Sequence, residues 1–367
     1  MVIEKVEIIK LNIQLKEPIA ISLGTTTIAE NLVIKLHTDS GLYGIGEASS
    51  LKHIVGETQA SQFEIAKYLA GSLKGKNPLA IEQRLIELDR SLPGNPTLKS
   101  AFDMALYDLL GKEANMPLYQ LLGGDGSREI VTDMTIYLGS PEQMAEQSLA
   151  YKNIGFPIIK VKLGESLGLD VERIRQIREA IGYEVPLRID ANQGWDPVTA
   201  VKILTALEKY QIEYCEEPIP HWNNRELVNV RNQSPIPIMA DESVYDHRDA
   251  LRLASMGACD YFNIKLAKTG GIHNALKVIA IAEAAGIKCQ VGGMSESRYA
   301  MTALAHIASA KEIITFYDID SPLAHAEDPV IGGIVLEGMG KWKLPDGPGI
   351  GADFDEEFLE GMERIVI

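Results

Sequence analysis

Three acidic residues could together hold a metal ion, because each ends a short apolar run of the sequence. They are Asp190, Glu216 and Asp241, at intervals of 26 and 25 residues. That interval is what a strand, a crossover helix and two short loops need. If the runs are neighbouring parallel strands, three carboxylates meet at one rim, and they cannot all stay ionised there without a cation. Mg2+ suits such an oxygen-only set, with Mn2+ as a possible substitute. The alternative is that these acids cap the helices that follow.

Three lysines stand at the ends of further apolar runs. Lys160 and Lys162 precede the run of Asp190, and Lys265 follows the run of Asp241. Residues i and i+2 of a strand point to the same side, so Lys160 and Lys162 share a face. A lysine buried inside a barrel is costly unless it is paired or takes part in chemistry.

The position of Lys162 and Lys265 predicts a pair of opposed bases. They fall four strands apart in an eight-stranded barrel, and therefore across its mouth from each other. One base can remove the α-proton of a metal-bound carboxylate substrate while the other returns a proton to the opposite face. Burial, the cation and Lys160 would disfavour extra positive charge on these bases, although Lys160 could equally pair with a metal carboxylate.

The elements that position these residues repeat along the middle of the chain. Eight candidate strands begin 24 to 28 residues apart, with helical patterns between them. This spacing predicts a (β/α) TIM-type barrel over residues 126–320. The predicted strand starts lie near Val131, Ile158, Pro186, Ile212, Ile236, Tyr261, Ile287 and Ile314.

The remaining sequence predicts an α+β capping domain over residues 1–125 and a C-terminal segment, 321–367, that returns to it. Alternating apolar runs near the start indicate an antiparallel sheet, and three helical patterns follow. Two Ser/Thr/Gly-rich connections, near 19–27 and 48–56, are candidate lid loops, although plain surface turns have the same composition. The tail contains a pattern typical of a β-hairpin between Gly333 and Leu344.

Composition excludes several classes of partner. Thirty-five basic residues against 51 acidic ones give a net charge of −16, and no basic stripe stands out, which argues against nucleic-acid and anionic-membrane binding. No apolar run reaches membrane-spanning length and the N-terminus lacks a leader pattern, so we expect a cytoplasmic protein. The three cysteines, Cys215, Cys259 and Cys289, are too far apart for a metal site, so we expect buried free thiols.

These residues together resemble the enolase superfamily, in its muconate lactonizing enzyme-like subgroup, over essentially the whole chain. The matching segments are Lys160-Val161-Lys162, residues 190–195, residues 240–243 and residues 265–271. The resemblance implies Mg2+ on Asp190, Glu216 and Asp241 and a lysine base on each side of an enediolate. Because many enzymes of this family form oligomers, the resemblance also implies a homo-oligomer.

Within that subgroup, Asp318-Ile319-Asp320 resembles the segment with which dipeptide epimerases hold a free α-ammonium group. Two carboxylates at i and i+2 would attract a cation and repel an anionic tail. We therefore expect a dipeptide substrate whose C-terminal residue is epimerised. An o-succinylbenzoate synthase or N-succinylamino acid racemase, a Schiff-base aldolase and a non-catalytic dipeptide-binding protein remain open, as does a merely solvated acidic strand end.

The side-chain pocket differs from that of Ala-Glu epimerases, which resemble this chain in the first lid loop but carry an arginine there. The matching position is Gly24, and Arg298 falls where those enzymes have a lysine. An apolar or small second residue is therefore expected in preference to Glu. The residues expected to contact the substrate are Ile19, Leu23, Gly24, His53, Ile54, Thr135, Tyr137, Lys160, Met294, Ser295, Glu296, Arg298, Asp318 and Asp320.

Overall fold

The first part of the chain, which we call the cap, is an antiparallel sheet covered by helices. The computed structural model describes all 367 residues. The cap consists of β1 (Ile3–Ile21), β2 (Gly24–Thr38), β3 (Tyr43–Ser49), α1 (Lys52–Val55), α2 (Gln59–Leu73), α3 (Ile81–Ser91), α4 (Pro96–Ala114) and α5 (Leu118–Leu121).

Helix α4 lies directly on β3 because two glycines of that strand leave room for it. A Cβ atom at Gly46 would lie 1.8 Å from the carbonyl oxygen of Ala101, and one at Gly44 would lie 2.0 Å from that of Ala105. Pro96 begins α4, where its missing N–H costs nothing. Asn115, with φ of 51°, ends the helix in the left-handed region. The close contact buries the helix almost throughout.

The two predicted lid loops are more ordered than the sequence suggested. The first is the tip of the β1–β2 hairpin, in which Ile19 pairs with Thr26 and Ile21 pairs with Gly24 across a tight turn. The prediction of a loop was wrong there because the Thr-rich run 25–27 has good strand propensity once it has a partner strand. The second contains the single-turn helix α1.

The middle of the chain forms the predicted barrel of parallel strands. A short strand, β4 (Ile130–Val131), precedes it. Its strands and helices are β5 (Met134–Ile136), α6 (Pro141–Ile154), β6 (Ile159–Lys162), α7 (Leu167–Ile181), β7 (Leu187–Asp190), α8 (Pro197–Leu207), β8 (Ile212–Glu216), α9 (Asn224–Gln233), β9 (Ile238–Ala240), α10 (His247–Met256), β10 (Tyr261–Ile264), α11 (Leu266–Thr269), α12 (Ile272–Ala285), β11 (Lys288–Gly292), α13 (Arg298–Ala310) and β12 (Ile314–Asp318).

The barrel closes through a seam rather than through a regular ladder. Parallel pairing runs without interruption from β5 to β12, but β12 and β5 are not paired as strands. Asp133 N–H donates to the carbonyl of Tyr317 at 3.2 Å, and Thr135 N–H donates to Asp320 Oδ2 at 2.8 Å. The predicted strand start at Val131 was wrong by three residues, because Ile130 and Val131 pair with the tail instead. A 3-10 turn, Ser321–Ala324, stands where an eighth helix would be.

The tail contacts both the barrel and the cap. Its elements are β13 (Val330–Gly332), β14 (Val335–Leu336), β15 (Lys341–Lys343), β16 (Ala352–Phe354), α14 (Glu356–Leu359) and β17 (Arg364–Val366). The predicted hairpin is present as β14 and β15, and β15 pairs with β4. Strand β17 extends the cap sheet by pairing antiparallel with β1.

The division of the chain at residues 125 and 320 stays a proposal. No helix in the structure is long and apolar enough to span a membrane.

Two carboxylates of the cap bind the first turns of barrel helices. Glu47 of β3 accepts from Ser297 N–H at 2.8 Å, from the Ser297 hydroxyl at 2.6 Å and from Ala300 N–H at 3.3 Å, at the start of α13. Asp103 of α4 accepts from the backbone N–H groups of Ile272 and His273, at the start of α12. The first-turn amides of both helices are thus satisfied by another part of the chain.

Candidate active site

The charged residues predicted from the sequence meet inside the carboxyl end of the barrel. Strand register sets Lys162 beside Asp190 and Asp190 beside Glu216. Asp190, Glu216 and Asp241 are fully buried, and Lys160, Lys162 and Lys265 are at most 9% exposed. This set is buried because strand alternation points all six side chains into the lumen.

Each acid of the predicted metal set is in contact with a lysine. Lys162 Nζ donates to Asp190 Oδ2 at 2.6 Å. Lys265 Nζ lies 2.9 Å from Asp241 Oδ2, and the buried Lys268 contacts the other oxygen of Asp241. Lys160 Nζ lies 2.7 Å from Glu216 Oε2, 3.4 Å from Asp190 Oδ2 and 2.6 Å from Asp318 Oδ2. Lys160 is therefore an ion-pair partner shared by the metal set and Asp318.

The pKa values of these groups follow from burial and from charge. Burial and Asp190 raise the pKa of Glu216 to about 7. Burial would raise the pKa of Asp241, but Lys265 and Lys268 outweigh it, so the pKa lies below its usual range. Burial would lower the pKa of Lys265, but Asp241 and Glu216 raise it further, so the net pKa lies above its ordinary value. Burial and Lys160 thus act in the expected direction on Lys265, but its acidic neighbours outweigh them, and the expected effect of the cation stays a prediction.

The buried oxygen atoms of the site fit a cation. The two carboxylate oxygens of Asp241 contact Lys265 and Lys268 without a well-aligned hydrogen bond, and Glu242 Oε2, Asn192 Oδ1 and Asn263 Oδ1 have no donor. Buried acceptors normally have a partner, and hard cations such as Mg2+ bind oxygen atoms. The residues present therefore fit Mg2+ on Asp190, Glu216 and Asp241.

Neighbouring side chains hold Glu216 and the segment of Asp241 in place. Asn263 Nδ2 donates to Glu216 Oε1 at 2.7 Å, and Gln290 Nε2 donates to Glu216 Oε2 at 3.3 Å. Glu217 Oε2 accepts from the backbone N–H groups of Asp241 at 2.7 Å and Ser243 at 3.1 Å. The metal set is thus oriented by a second layer of hydrogen bonds.

A small, partly enclosed chamber lies above the lysines. Its volume is about 50 Å3. Two contacts close the hairpin tip over the barrel: Ser22 Oγ donates to the carbonyl of Asn192 at 2.7 Å, and Leu138 N–H donates to the carbonyl of Ala20 at 3.0 Å. The chamber is lined by Ile19, Ile21, Gly24, Thr26, Leu51, His53, Ile54, Thr135, Tyr137, Lys162, Asn192, Lys265, Gly293, Met294, Ser295, Asp318, Asp320 and Ser321.

Four residues predicted to contact the substrate do not line this chamber. Lys160 is fully buried beneath it, and Leu23 is absent from the lining. Glu296 is buried behind the chamber, where it accepts from Met294 N–H. Arg298 faces the tail: its Nε donates to Asp328 at 2.7 Å and its Nη1 donates to the carbonyl of Ile334 at 3.0 Å. Arg298 begins α13, so its side chain points away from the lumen, and the expectation of a remaining cation was wrong.

The acids at the barrel seam include one residue that the sequence did not indicate. Asp133, Asp318 and Asp320 are buried with carboxylate oxygens within 4.8 Å of one another. Asp133 Oδ2 accepts from Arg188 Nη1 at 2.8 Å. Burial and Asp318 raise the pKa of Asp320 to about 6. Burial would also raise the pKa of Asp318, but Lys160, Lys162 and Lys265 together outweigh it, so that pKa lies below its usual value. Asp133 was missed because it lies in the irregular segment before β5. Its two-residue spacing from Thr135 could have indicated that both side chains point to the same side.

Comparisons with known proteins agree with this arrangement. Residues 3–123 match the family model of the N-terminal domain of mandelate racemase and muconate lactonizing enzyme. Residues 143–358 match the model described as enolase C-terminal domain-like. The chain belongs to the enolase superfamily.

Among similar members of the superfamily, a D-Ala-D/L-Ala epimerase of Cytophaga hutchinsonii is 46% identical over 367 residues, the full length of both chains. An L-Ala-D/L-Glu epimerase of Clostridium acetobutylicum is 42% identical over 96% of this chain and 99% of its own. A crystal structure of the Cytophaga hutchinsonii dipeptide epimerase, complexed with Mg and D-Ala-L-Val, superposes with a TM-score of 0.99 and covers both chains fully at 46% identity.

Proposed function

We propose that this enolase superfamily member is a Mg2+-dependent dipeptide epimerase that inverts the α-carbon of the C-terminal residue. One observation carries the proposal: Lys162 of β6 and Lys265, which directly follows β10, line the same chamber as Asp318 and Asp320. Two bases facing one small volume, with an acidic pair at its side, suit a substrate that has both an α-proton and an ammonium group.

The two lysines would carry the proton transfer. The one on the face of the α-hydrogen takes the proton at its Nζ, and the other delivers a proton from its Nζ to the opposite face, so that the configuration inverts. Asp190, Glu216 and Asp241 would hold Mg2+, which supplies charge stabilisation to the substrate carboxylate as it gains negative charge. The closed hairpin tip keeps bulk water from the lysines while protons move.

The acidic pair would bind the other end of the substrate. Asp318 and Asp320 are at most 7% exposed, and an ammonium group placed between them gains charge-assisted hydrogen bonds in a site of low dielectric. The same charges repel an N-succinyl group. This supports a free dipeptide as substrate.

The second residue of the dipeptide would be apolar or small. Arg298 is engaged with the tail, so no arginine is available for a glutamate side chain. A Cβ atom at Gly24 would lie 2.9 Å from His53 Nε2, so His53 covers the place of a longer side chain. The D-Ala-L-Val complex of the Cytophaga hutchinsonii relative supports this choice, whereas the Clostridium acetobutylicum relative acts on an Ala-Glu dipeptide.

Deuterium exchange tests the proposal. Mg2+-loaded protein in D2O is incubated with pooled L,L-dipeptides that differ at the C-terminal residue, and mass spectrometry follows a gain of one mass unit together with the L,D form. Lys162→Ala and Lys265→Ala should each lose inversion, and each should exchange at most one of the two epimers. Lys209→Ala, at an exposed lysine far from the barrel mouth, is the matched control. Exchange of N-succinylamino acids in place of free dipeptides would contradict the proposal.

Two further expectations accompany this proposal. The cytoplasmic location and the homo-oligomeric assembly stay predictions from the sequence. Size-exclusion chromatography with light scattering would test the second.

A further inference from the structure

A second cavity lies beside the chamber and is separated from it by a thin wall. Its volume is about 650 Å3, and it is bounded by residues 16–19 of the cap, by α6 and by the 3-10 turn after β12. The two cavities share two lining residues, Ile19 and Tyr137. These two side chains therefore form the partition.

The partition stands on the side of the acidic pair. Asp133, Thr135 and Tyr137 alternate along the first barrel strand and its end, so their side chains follow one another up the lumen side. Thr135 N–H donates to Asp320 Oδ2 at 2.8 Å. Burial first, and then Asp320 and Asp318, raise the pKa of Tyr137, in agreement with a ring close to both acids.

The two parts of the partition differ in how firmly they are held. Ile19 belongs to the tip of the β1–β2 hairpin, where the register with β2 is irregular between Gln14 and Ile19. Tyr137 directly follows β5, which pairs with β6 through Met134, Thr135 and Ile136. Tyr137 is therefore the part of the wall that the barrel itself holds in place.

We propose that Tyr137 is a specificity-determining residue that limits the N-terminal residue of the dipeptide to a small side chain. The inference rests on the proposed epimerase function, because the acidic pair fixes the ammonium group and so directs the side chain beside it toward the partition. Because the Tyr137 ring borders this side of the chamber, glycine or alanine fits against it, whereas leucine or phenylalanine meets the ring. The cavity beyond the ring is large enough for either of the bulky side chains.

Substrate selectivity of two variants tests this role. Tyr137→Ala opens the chamber into the outer cavity, and Tyr151→Ala changes a residue that lines the outer cavity alone. kcat/KM is measured for L-Ala-L-Val and L-Leu-L-Val with each protein. The wild type should have a kcat/KM about tenfold or more higher for the Ala dipeptide, because a side chain that is too large by a few methylenes lowers kcat/KM by at least that factor in a confined pocket. Tyr137→Ala should reduce that ratio by about tenfold, and Tyr151→Ala should leave it unchanged.

The outcomes separate this inference from the proposed function. If the wild type epimerises both dipeptides equally well, or if Tyr137→Ala lowers both kcat/KM values by the same factor, the wall role is overturned while the epimerase stands. If the wild type epimerises no dipeptide, the proposed function falls first. Tyr137→Phe keeps the ring and should keep the ratio, so its result shows whether a changed ratio comes from lost volume or from a disturbed fold.

Discussion

At the scale of single residues, one acid of the barrel seam has no cationic partner. Asp133 accepts from Arg188 and Asp318 pairs with Lys160, whereas Asp320 accepts from the Thr135 N–H and pairs with no lysine or arginine. One further cation therefore completes the cluster, and the ammonium group of a dipeptide has that charge. Lys160 also connects this cluster to the proposed metal set, because it contacts Glu216 as well as Asp318.

The protonation of Asp320 should limit activity in mild acid. Its pKa is raised to about 6 by burial and by Asp318, so the carboxylate gains a proton as the pH falls through about 6 and loses its attraction for the ammonium group. We expect kcat/KM for a dipeptide at saturating Mg2+ to fall about tenfold for each pH unit below that value. A pH profile between 5 and 8 measures this.

Asp320→Asn should have a lower kcat/KM at pH 8 and no acidic limb near 6. Glu327→Gln, at an exposed acid of the tail, should behave as the wild type. If the acidic limb persists in Asp320→Asn, another group is responsible and the assignment is wrong.

At the scale of elements, the strand ends that carry the metal set are followed by unusual backbone. Asn192 and Gln193 have φ values of 39° and 67°, and Glu217 has a φ of 34°, although none is a glycine. Such conformations cost about 1–3 kcal/mol each and persist where the surroundings enforce them. The hydrogen bonds from Asp241 and Ser243 to the Glu217 carboxylate are one such constraint.

Glu217→Gln should weaken metal binding. A neutral amide offers one acceptor oxygen where the carboxylate accepts from three groups of the segment 241–243, so the segment that carries Asp241 loses orientation. We expect Mg2+ affinity to fall about 10-fold to 100-fold. Competition against Mn2+, followed by electron paramagnetic resonance, measures it without any substrate. Glu226→Gln is the control, because this half-buried acid of α9 contacts Asn229 and no residue of the metal set. Equal Mg2+ affinities of Glu217→Gln and the wild type would refute the role of Glu217.

The sequence predicted the strands of the site better than the surroundings of the site. Asp190, Glu216 and Asp241 were identified because strand length and βα spacing fix where a side chain enters the lumen. The hairpin tip was predicted as a loop because pairing between β1 and β2 is a tertiary contact that propensity does not contain. Arg298 was misplaced since its direction depends on where α13 begins relative to the tail. Lys160 lies one layer of side chains deeper in the barrel than Lys162, so it is buried beneath the chamber. The spacing of residues along the sequence does not show how deep each layer of the lumen lies.

At the scale of the whole molecule, the cap and the barrel are joined by hydrogen bonds at the start of barrel helices, where Glu47 of the cap binds the first turn of α13. Glu47→Gln should lower the free energy of unfolding by about 1 to 2 kcal/mol, because it weakens the bonds at the start of α13 without creating a cavity. Urea titration measures the change. Glu64→Gln breaks an exposed pair with Lys67 and should cost less than about 0.5 kcal/mol. An equal effect of the two substitutions would mean that apolar packing alone joins the cap to the barrel.

A histidine joins all three parts of the chain and should make stability depend on pH. His306 of α13 accepts from Tyr119 N–H of the cap at 3.2 Å, and its Nε2 is 3.0 Å from the carbonyl of Ile350 in the tail. This pattern fits the neutral ring, and burial lowers its pKa to about 4. The unfolded chain therefore binds more protons between about pH 4 and 6.5, so stability falls as the pH falls through that range, by up to roughly 3 kcal/mol.

Thermal unfolding at pH 7 and at pH 4.5 tests this in the wild type and in His306→Gln. The variant should be less stable at pH 7 but should lose less on acidification. Part of the pH dependence should remain, because burial also lowers the pKa of His325 to about 4. An identical loss on acidification in both proteins would show that His306 does not contribute.

The pairing of β17 with β1 has a consequence for how the protein is made. During synthesis β1 leaves the ribosome early, but the strand that covers its outer edge is translated only after the whole barrel. Until then β1 exposes unpaired backbone groups, which are a template for intermolecular pairing. A chain shortened before residue 364 should therefore aggregate as it is translated. A permuted gene that begins with residues 360–367 and continues into β1 would complete the sheet at the start of synthesis instead.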